Sequence, residues 1–427
     1  MADLGNGDGA HSVRFGTPVS RRSMIGGMAT VGTLSGTMAG KASAPARSGG
    51  GWDVVVVGAG VFGAWTAWNL QRLGRKVLLV DAWGPAHTRA SSGGETRLIR
   101  TEYAGDPLYT RWAWESLAEW QALSQRHESP IFHPVGALYL YPQDSAGIDR
   151  SIALQRSLGI AIEKIAVSDM ARRWPQIGFD GVMVGVLQPG MGALMARRSV
   201  QALVGEFVRA GGFYRQCAID PPQATGGALE AITGSGGERV RADQFVFACG
   251  PWLPKLFPDV VGSRIVPTRQ DVFFFAPEPG DARFDGAHLP AWVDAGSKDL
   301  HYGFPDIESR GFKIALDRHG PAIDPDVMDR RIDDQALQDV RDYLARRFPG
   351  LARRPLAEAR VCQYENSDNG DLLIDRHPAW ANAWIVGGGS GHGFKHGPAM
   401  GRHVAGLVSG TGTIEPRLAF ASHRPHG

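Results

Sequence analysis

Three cysteines in 427 residues are too few, and at positions 217, 249 and 362 too scattered, for a disulfide scaffold or a zinc site. Each of Cys217, Cys249 and Cys362 therefore needs its own explanation. No apolar run resembles a membrane span, so stable membrane insertion is not expected, and no segment repeats internally. Neither sign of charge is in excess: four of the 45 basic and two of the 43 acidic residues lie in 1–44, which leaves 41 of each beyond. That balance gives no reason to expect nucleic acid or an anionic membrane as a partner. With 43% hydrophobic and 21% charged residues, the chain has the composition of an ordinary soluble globule. Its length exceeds one typical domain, which makes two domains the natural expectation.

What the sequence has in quantity is glycine, 57 residues, and two glycine-rich segments stand out at its ends. Gly51 to Gly63 reads GWDVVVVGAGVFG, and Ala383 to Lys395 reads AWIVGGGSGHGFK. Each is an apolar run ending abruptly in glycines, the way a buried parallel strand delivers its backbone to a phosphate-bearing ligand at a helix start. In the first, Gly58, Gly60 and Gly63 form G-x-G-x-x-G after a strand expected over Asp53–Val57, and a helix is expected over Ala64–Leu73. A second apolar strand, Lys76–Val80, ends in Asp81, 18 residues beyond Gly63, where a carboxylate can accept hydrogen bonds from ribose hydroxyls. That is a complete βαβ unit, which both NAD(P) and FAD use. One such loop indicates a dinucleotide; two indicate FAD held from both sides.

The first residues read differently. Residues 1–19 are polar and glycine-rich, Arg21 and Arg22 precede a weakly apolar run over Ile25–Gly40, and Lys41 leads into Ala42, Ser43 and Ala44. This resembles a bacterial twin-arginine export signal with cleavage after Ala44, although the phenylalanine often found after the arginines is missing. Export of a folded protein to the periplasm or medium suits an enzyme that acquires its flavin in the cytoplasm.

Further along, Ser91–Arg100 is a polar glycine turn running into Arg97 and Arg100. Helices are expected over Tyr109–Gln125, Ser168–Trp174, Val200–Ala210 and Asp334–Phe348, the last alternating charged and apolar positions as a surface helix does. Strands are expected over Pro134–Tyr141 and Gln244–Cys249, then over Asp271–Phe275, Leu289–Val293, His301–Phe304 and Gly311–Leu316. Nucleotide-binding pieces thus occur early, in the middle and late, with a strand-rich region between. The expected fold class is α/β: a Rossmann-type FAD-binding domain (51–134, 190–262 and 359–425) interleaved with a strand-rich α+β substrate domain (135–189 and 263–358).

Gly58–Gly63, Ser91–Arg100, Tyr302–Lys313 and Cys362–Lys395 together resemble monomeric sarcosine oxidase and N-methyltryptophan oxidase, of the D-amino-acid-oxidase-like flavoenzymes. The likeness spans about Trp52 to Arg424 and is loose over Ala104–Leu300. It implies FAD contacts from Gly58, Ala59, Gly60, Val61, Phe62 and Gly63, from Asp81 and Ala82, and from Ser91, Ser92, Thr96 and Arg97. The last loop adds Gly389, Gly391, Gly393 and Lys395. Cys362, in the sequence Val361-Cys362-Gln363-Tyr364, resembles the cysteine that bonds covalently to the flavin 8α-methyl, a role that needs a nucleophilic sulfur near positive charge. Cys217 and Cys249 read instead as small packed hydrophobes. Lys313, 11 residues after Tyr302, resembles the lysine that stands over the flavin near N5 and promotes reaction with oxygen. A cation there stabilises the superoxide formed by the first electron transfer. By the same resemblance Arg97 lies against the flavin, Arg100 and Lys395 grip the substrate carboxylate, and Tyr302 forms the pocket wall and positions the amine.

Two positions depart from that family, which has a histidine shortly before the first arginine and another four residues past the lysine. Here they are Gly93 and Asp317. The change leaves more room and adds a carboxylate, which points away from sarcosine and towards a bulkier or cationic amine, with Asp317 among the substrate contacts. The expected activity is oxidation of a small-molecule amine or amino acid by hydride transfer to FAD, with O2 as second substrate, hydrogen peroxide as product, and no metal. The resemblance favours a monomer. A same-fold dehydrogenase passing electrons to a quinone or carrier protein, a non-catalytic flavin-binding subunit, and an NAD-dependent dehydrogenase are the alternatives.

Overall fold

The computed structural model describes residues 51–223, 226–296 and 300–424. The expected twin-arginine signal, 1–44, lies outside the described residues. Around the first glycine loop, β-branched Val54 to Val57 form the strand Trp52–Val57, fully buried from Val54 onward. It pairs in parallel with Val77–Asp81 on one side and Arg239–Phe247 on the other, with Val55 opposite both Leu78 and Phe245. The sheet order is Leu373–Arg376, Ala383–Gly387, Arg239–Phe247, Trp52–Val57, Val77–Asp81, Phe213–Gln216, and Ala231–Thr233 pairs antiparallel to Arg239–Phe247. Alternation sends Val54 and Val56 into a core shared with helices Val61–Arg72, Pro107–Gln125, Ala196–Arg209 and Gly397–Val408, while Val55 and Val57 pack on the opposite face with Phe245 and Phe247.

Helix Val61–Arg72 begins three residues earlier than the sequence indicates, directly after Gly60. It packs on Gly397–Val408 through two glycines: a Cβ on Gly397 would lie 2.6 Å from Trp65 Cδ1, and one on Gly401 2.7 Å from the Trp65 backbone. The helices after the first and the last glycine loops are thereby fastened to each other.

A second, eight-stranded sheet runs Leu356–Ser367, Ile265–Phe275, Phe312–Asp317, Leu300–Phe304, Ala291–Asp294, Ala137–Tyr141, Val184–Gln188, Glu163–Ala166. All its pairs are antiparallel except Ala291–Asp294 with Ala137–Tyr141. Its first strand, Leu356–Ser367, pairs with Ile265–Phe275 along its length, with a register shift between Phe274 and Phe275. This strand carries Cys362, Tyr364 and Glu365 to the glycine loops. A three-stranded sheet of Arg97–Ile99, Gly192–Leu194 and Phe132–His133 holds Arg97 beside them. Among the described residues no helix is long and apolar enough to cross a membrane.

Candidate active site

The glycine loops bound a cavity of about 460 Å³. It is lined by Gly58, Gly60, Val61 and Phe62 from the first loop, Asp81 and Ala82 from the strand end, Ser91, Ser92 and Arg97 from the turn, and Gly389, Gly391 and Gly393 from the last loop. The remaining expected cofactor contacts, Ala59, Gly63, Thr96, Cys362 and Lys395, are not among the residues that line it. The loop needs glycine at two of its places. Gly58 has φ +103°, and a Cβ on Gly63 would meet the Gly58 carbonyl oxygen at 1.8 Å. Asp81 is held by its own loop: Oδ2 accepts from Ala59 N–H at 2.7 Å, and Oδ1 accepts from Trp83 and Gly84 N–H, each at 2.9 Å. Ser92 Oγ accepts from Val61 N–H at 3.2 Å, so the first helical turn opens on the cavity.

Several polar atoms here are buried without a protein partner: Ser91 Oγ, Thr96 Oγ1, Gln363 Oε1 and Glu365 Oε2. Together with backbone approached only through glycine, they fit a long polar dinucleotide such as FAD, and they fit poorly as the inside of a packed core.

Cations gather at the inner end. Lys313 is 2% exposed, and its Nζ donates to the Thr96 carbonyl at 2.8 Å, which also accepts from Arg97 Nη1 at 2.9 Å. Arg97 Nη2 donates to the Ser91 carbonyl and lies 3.7 Å from Cys362 Sγ. Burial opposes the Arg97 charge, but Cys362, Tyr302, Tyr364 and Glu95 around it hold its pKa above the ordinary value. For Lys313, burial and then the Arg97 charge push the pKa well below the usual lysine range. Negative charge arriving beside Lys313 would favour its ammonium form, whereas Arg97 is a cation permanently.

Two of the expected substrate groups, Arg100 and Lys395, meet at Tyr103, which the sequence left without a role. The Arg100 guanidinium lies 4.3 Å from the centre of the Tyr103 ring. Lys395 Nζ donates to Tyr103 Oη at 2.9 Å and to the His392 carbonyl at 2.7 Å. Burial, reinforced by Arg100, lowers the Lys395 pKa well below its usual value. Tyr103 Oη also contacts His396 Nε2 at 2.7 Å. Tyr302 Oη lies 3.4 Å from Tyr364 Oη, and burial pushes the Tyr302 pKa up to about 12. Asp317 Oδ1 is buried and has no partner among the described residues.

One sequence expectation is overturned. Gly93 does not open space, because a Cβ there would lie 2.0 Å from the His87 carbonyl oxygen, so the turn itself fills that volume. Cys217 and Cys249 pack against the hydrophobic core as expected, and they also line the cavity. The sequence reading missed Trp83 and Trp252, whose rings sit 5.0 Å apart on the same wall, and Glu365. The signal for Glu365 was a carboxyl three residues after Cys362 in an otherwise uncharged stretch of strand. Among the described residues no group of three His, Cys, Asp or Glu side chains is placed to hold a metal.

The geometry agrees with comparison to known proteins. The chain is 30% identical over 380 residues to monomeric sarcosine oxidase from Bacillus sp. (strain NS-129), covering 87% of this chain and 96% of that one. It is 29% identical to N-methyl-L-tryptophan oxidase from Salmonella arizonae, covering 83% and 94%. Among solved structures, fructosyl peptide oxidase from E. terrenum superposes with a TM-score of 0.75 at 21% identity, covering 90% and 94%, which shows a shared fold. The profile of the FAD dependent oxidoreductase family DAO matches residues 53–407, and the chain belongs to that family.

Proposed function

We propose that this chain is an exported flavoprotein oxidase of carboxylated amines, with FAD bound covalently through Cys362 and reoxidised by oxygen. The observation that carries this reading is the cluster at the inner end of the cavity, where Arg97, Lys313 and Cys362 converge on the Ser91 and Thr96 carbonyls. FAD, when bound, supplies the two-electron chemistry: it oxidises the C–N bond and hands the electrons on. Overall, amine, oxygen and water become a carbonyl compound, a smaller amine or ammonia, and hydrogen peroxide.

The protein's part is binding, orientation and charge. Arg100 offers a flat two-point match to a carboxylate, and a carboxylate arriving beside Lys395 favours the ammonium form that burial and Arg100 disfavour. Tyr302 stays protonated across the working range and can donate or accept at the amine. The substrate is taken up as the neutral amine, so hydride transfer needs no separate general base. The unpartnered Asp317 Oδ1 is a place for a cationic group further along the substrate.

Purified protein is expected to be yellow, and air turnover of an amino or N-alkylamino acid is expected to release one peroxide per oxygen consumed. The decarboxylated analogue should be a far poorer substrate, because the Arg100 charge is then left buried and unpaired. Turnover with a quinone but no peroxide in air would move the protein to the dehydrogenases.

Export rests on Arg21, Arg22 and the Ala42–Ala44 site. With both arginines changed to lysine, full-length flavin-loaded protein is expected to stay in the cytoplasm. Unchanged delivery to the periplasm or medium would rule out the twin-arginine route.

A further inference from the structure

Glu365 is a buried carboxyl that the proposed reaction does not use. It is 7% exposed and lines the cavity, and its Oε2 has no hydrogen-bond partner. Three glycines from two loops surround it: a Cβ on Gly389 would lie 3.0 Å from Oε1, and Cβ atoms on Gly387 and Gly250 would lie 3.4 and 3.8 Å from Oε2. No arginine or lysine pairs with it among the described residues. The backbone N–H groups of Gly389 and Gly388 face the carboxyl. Strand Ile265–Phe275 opposes it with Pro267, and helix Val61–Arg72 brings Phe62 to the same glycine loop; neither carries charge. The titratable neighbours are Tyr364 and Cys249, and burial raises the pKa of both, so they stay neutral.

A cavity built for a dinucleotide receives a pyrophosphate, two negative charges, and a chain of ribityl hydroxyls. An ionised carboxyl at this wall can only accept hydrogen bonds and repels phosphate; a protonated one donates. An unpartnered buried oxygen costs free energy in the folded protein unless the ligand completes it. Resting on the reading of this cavity as an FAD site, we infer that Glu365 is a cofactor-binding residue that works as a carboxylic acid: its Oε2–H donates to an oxygen of the cofactor's ribityl–pyrophosphate chain, and FAD is held less tightly as that acid ionises.

Burial accounts for an acid at neutral pH, pushing the Glu365 pKa up to about 8 despite the opposing N–H groups of Gly389 and Gly388. The sign follows from linkage. The protonated form binds FAD better, so affinity is flat below the apoprotein pKa and falls above it, by about tenfold per pH unit.

The test uses full-length protein carrying Cys362→Ser, so that FAD stays dissociable, with and without Glu365→Gln, which keeps a donor but cannot ionise. FAD affinity is read by quenching of flavin fluorescence from pH 6.5 to 9.5. The expected result is a dissociation constant that is flat to about pH 8 and then rises roughly tenfold per unit with Glu365, and one that is flat throughout with Gln. Titration of the flavin itself, or of Cys249, appears in both proteins and cancels. A flat profile with Glu365, or the same bend in both proteins, overturns the inference while leaving the FAD site intact. Failure to bind FAD at any pH overturns both. If the Gln protein does not fold, the profile with Glu365 decides alone.

Discussion

Replacing Lys313 with methionine is expected to slow reoxidation by oxygen about 10²- to 10³-fold, the usual cost of removing one preorganised charge or donor from a developing anion, about 2.7–4 kcal/mol. Anaerobic reduction by the amine should change only a few fold, since that step creates no anion at the lysine. The reason lies in how Lys313 is held. Its Nζ is fixed by the Thr96 carbonyl, which it shares with Arg97, and it is shut from water. Burial and Arg97 depress its pKa, so the ammonium is lost as pH rises through that lowered value. The oxygen step should therefore slow towards high pH in the parent enzyme and show no such slope in Lys313→Met. Stopped-flow absorbance times the two half-reactions separately. Equal loss in both would make Lys313 a packing residue, and an unchanged oxygen step would remove the main ground for an oxidase.

The second large effect is all or none. Parent protein precipitated with acid is expected to keep its yellow colour in the pellet, whereas Cys362→Ser should release all its FAD to the supernatant. Cys362 meets the physical requirement for a tether. It is fixed on a strand paired with Gln270, and the Arg97 guanidinium lies 3.7 Å from Sγ, the positive charge that a reactive sulfur needs beside it. Serine keeps the volume and loses that reactivity. Complete release from the parent protein would show that the cysteine packs against the cofactor without bonding to it.

How much of this could be read in advance follows from where each signal lives. The βαβ unit was legible because every step of it leaves a local mark: the valine run, the spaced glycines, the acid at the second strand's end. The helix start was misplaced because Gly60 supplies no side-chain cap; Ser92, 32 residues on, accepts from the first turn instead, and such a partner leaves no mark nearby. Ile265–Phe275 was expected only from Asp271, since Pro267 and the polar run to Gln270 hide a strand that is settled by its pairing with Leu356–Ser367. The cation cluster was legible through family spacing alone. That Tyr103 lies between Arg100 and Lys395 and that Glu365 faces the cavity depend on segments far apart in sequence, and the crowding at Gly93 depends on how its own turn folds back onto the His87 carbonyl.

The glycine contacts of Gly397 and Gly401 with Trp65 bear on the order in which the protein can be made. The strand Ala383–Gly387 and the loop after it close one side of the cavity, and the helix beyond them is the support against which Val61–Arg72 rests. A nascent chain that has not yet released Ala383–Gly401 from the ribosome lacks the Gly389–Gly393 wall of the cavity and leaves Trp65 without the helix it packs on. Flavin loading is thus expected to await the last glycine loop, and a truncation that removes Gly397–Val408 is expected to weaken cofactor binding while leaving in place the residues proposed to meet the substrate.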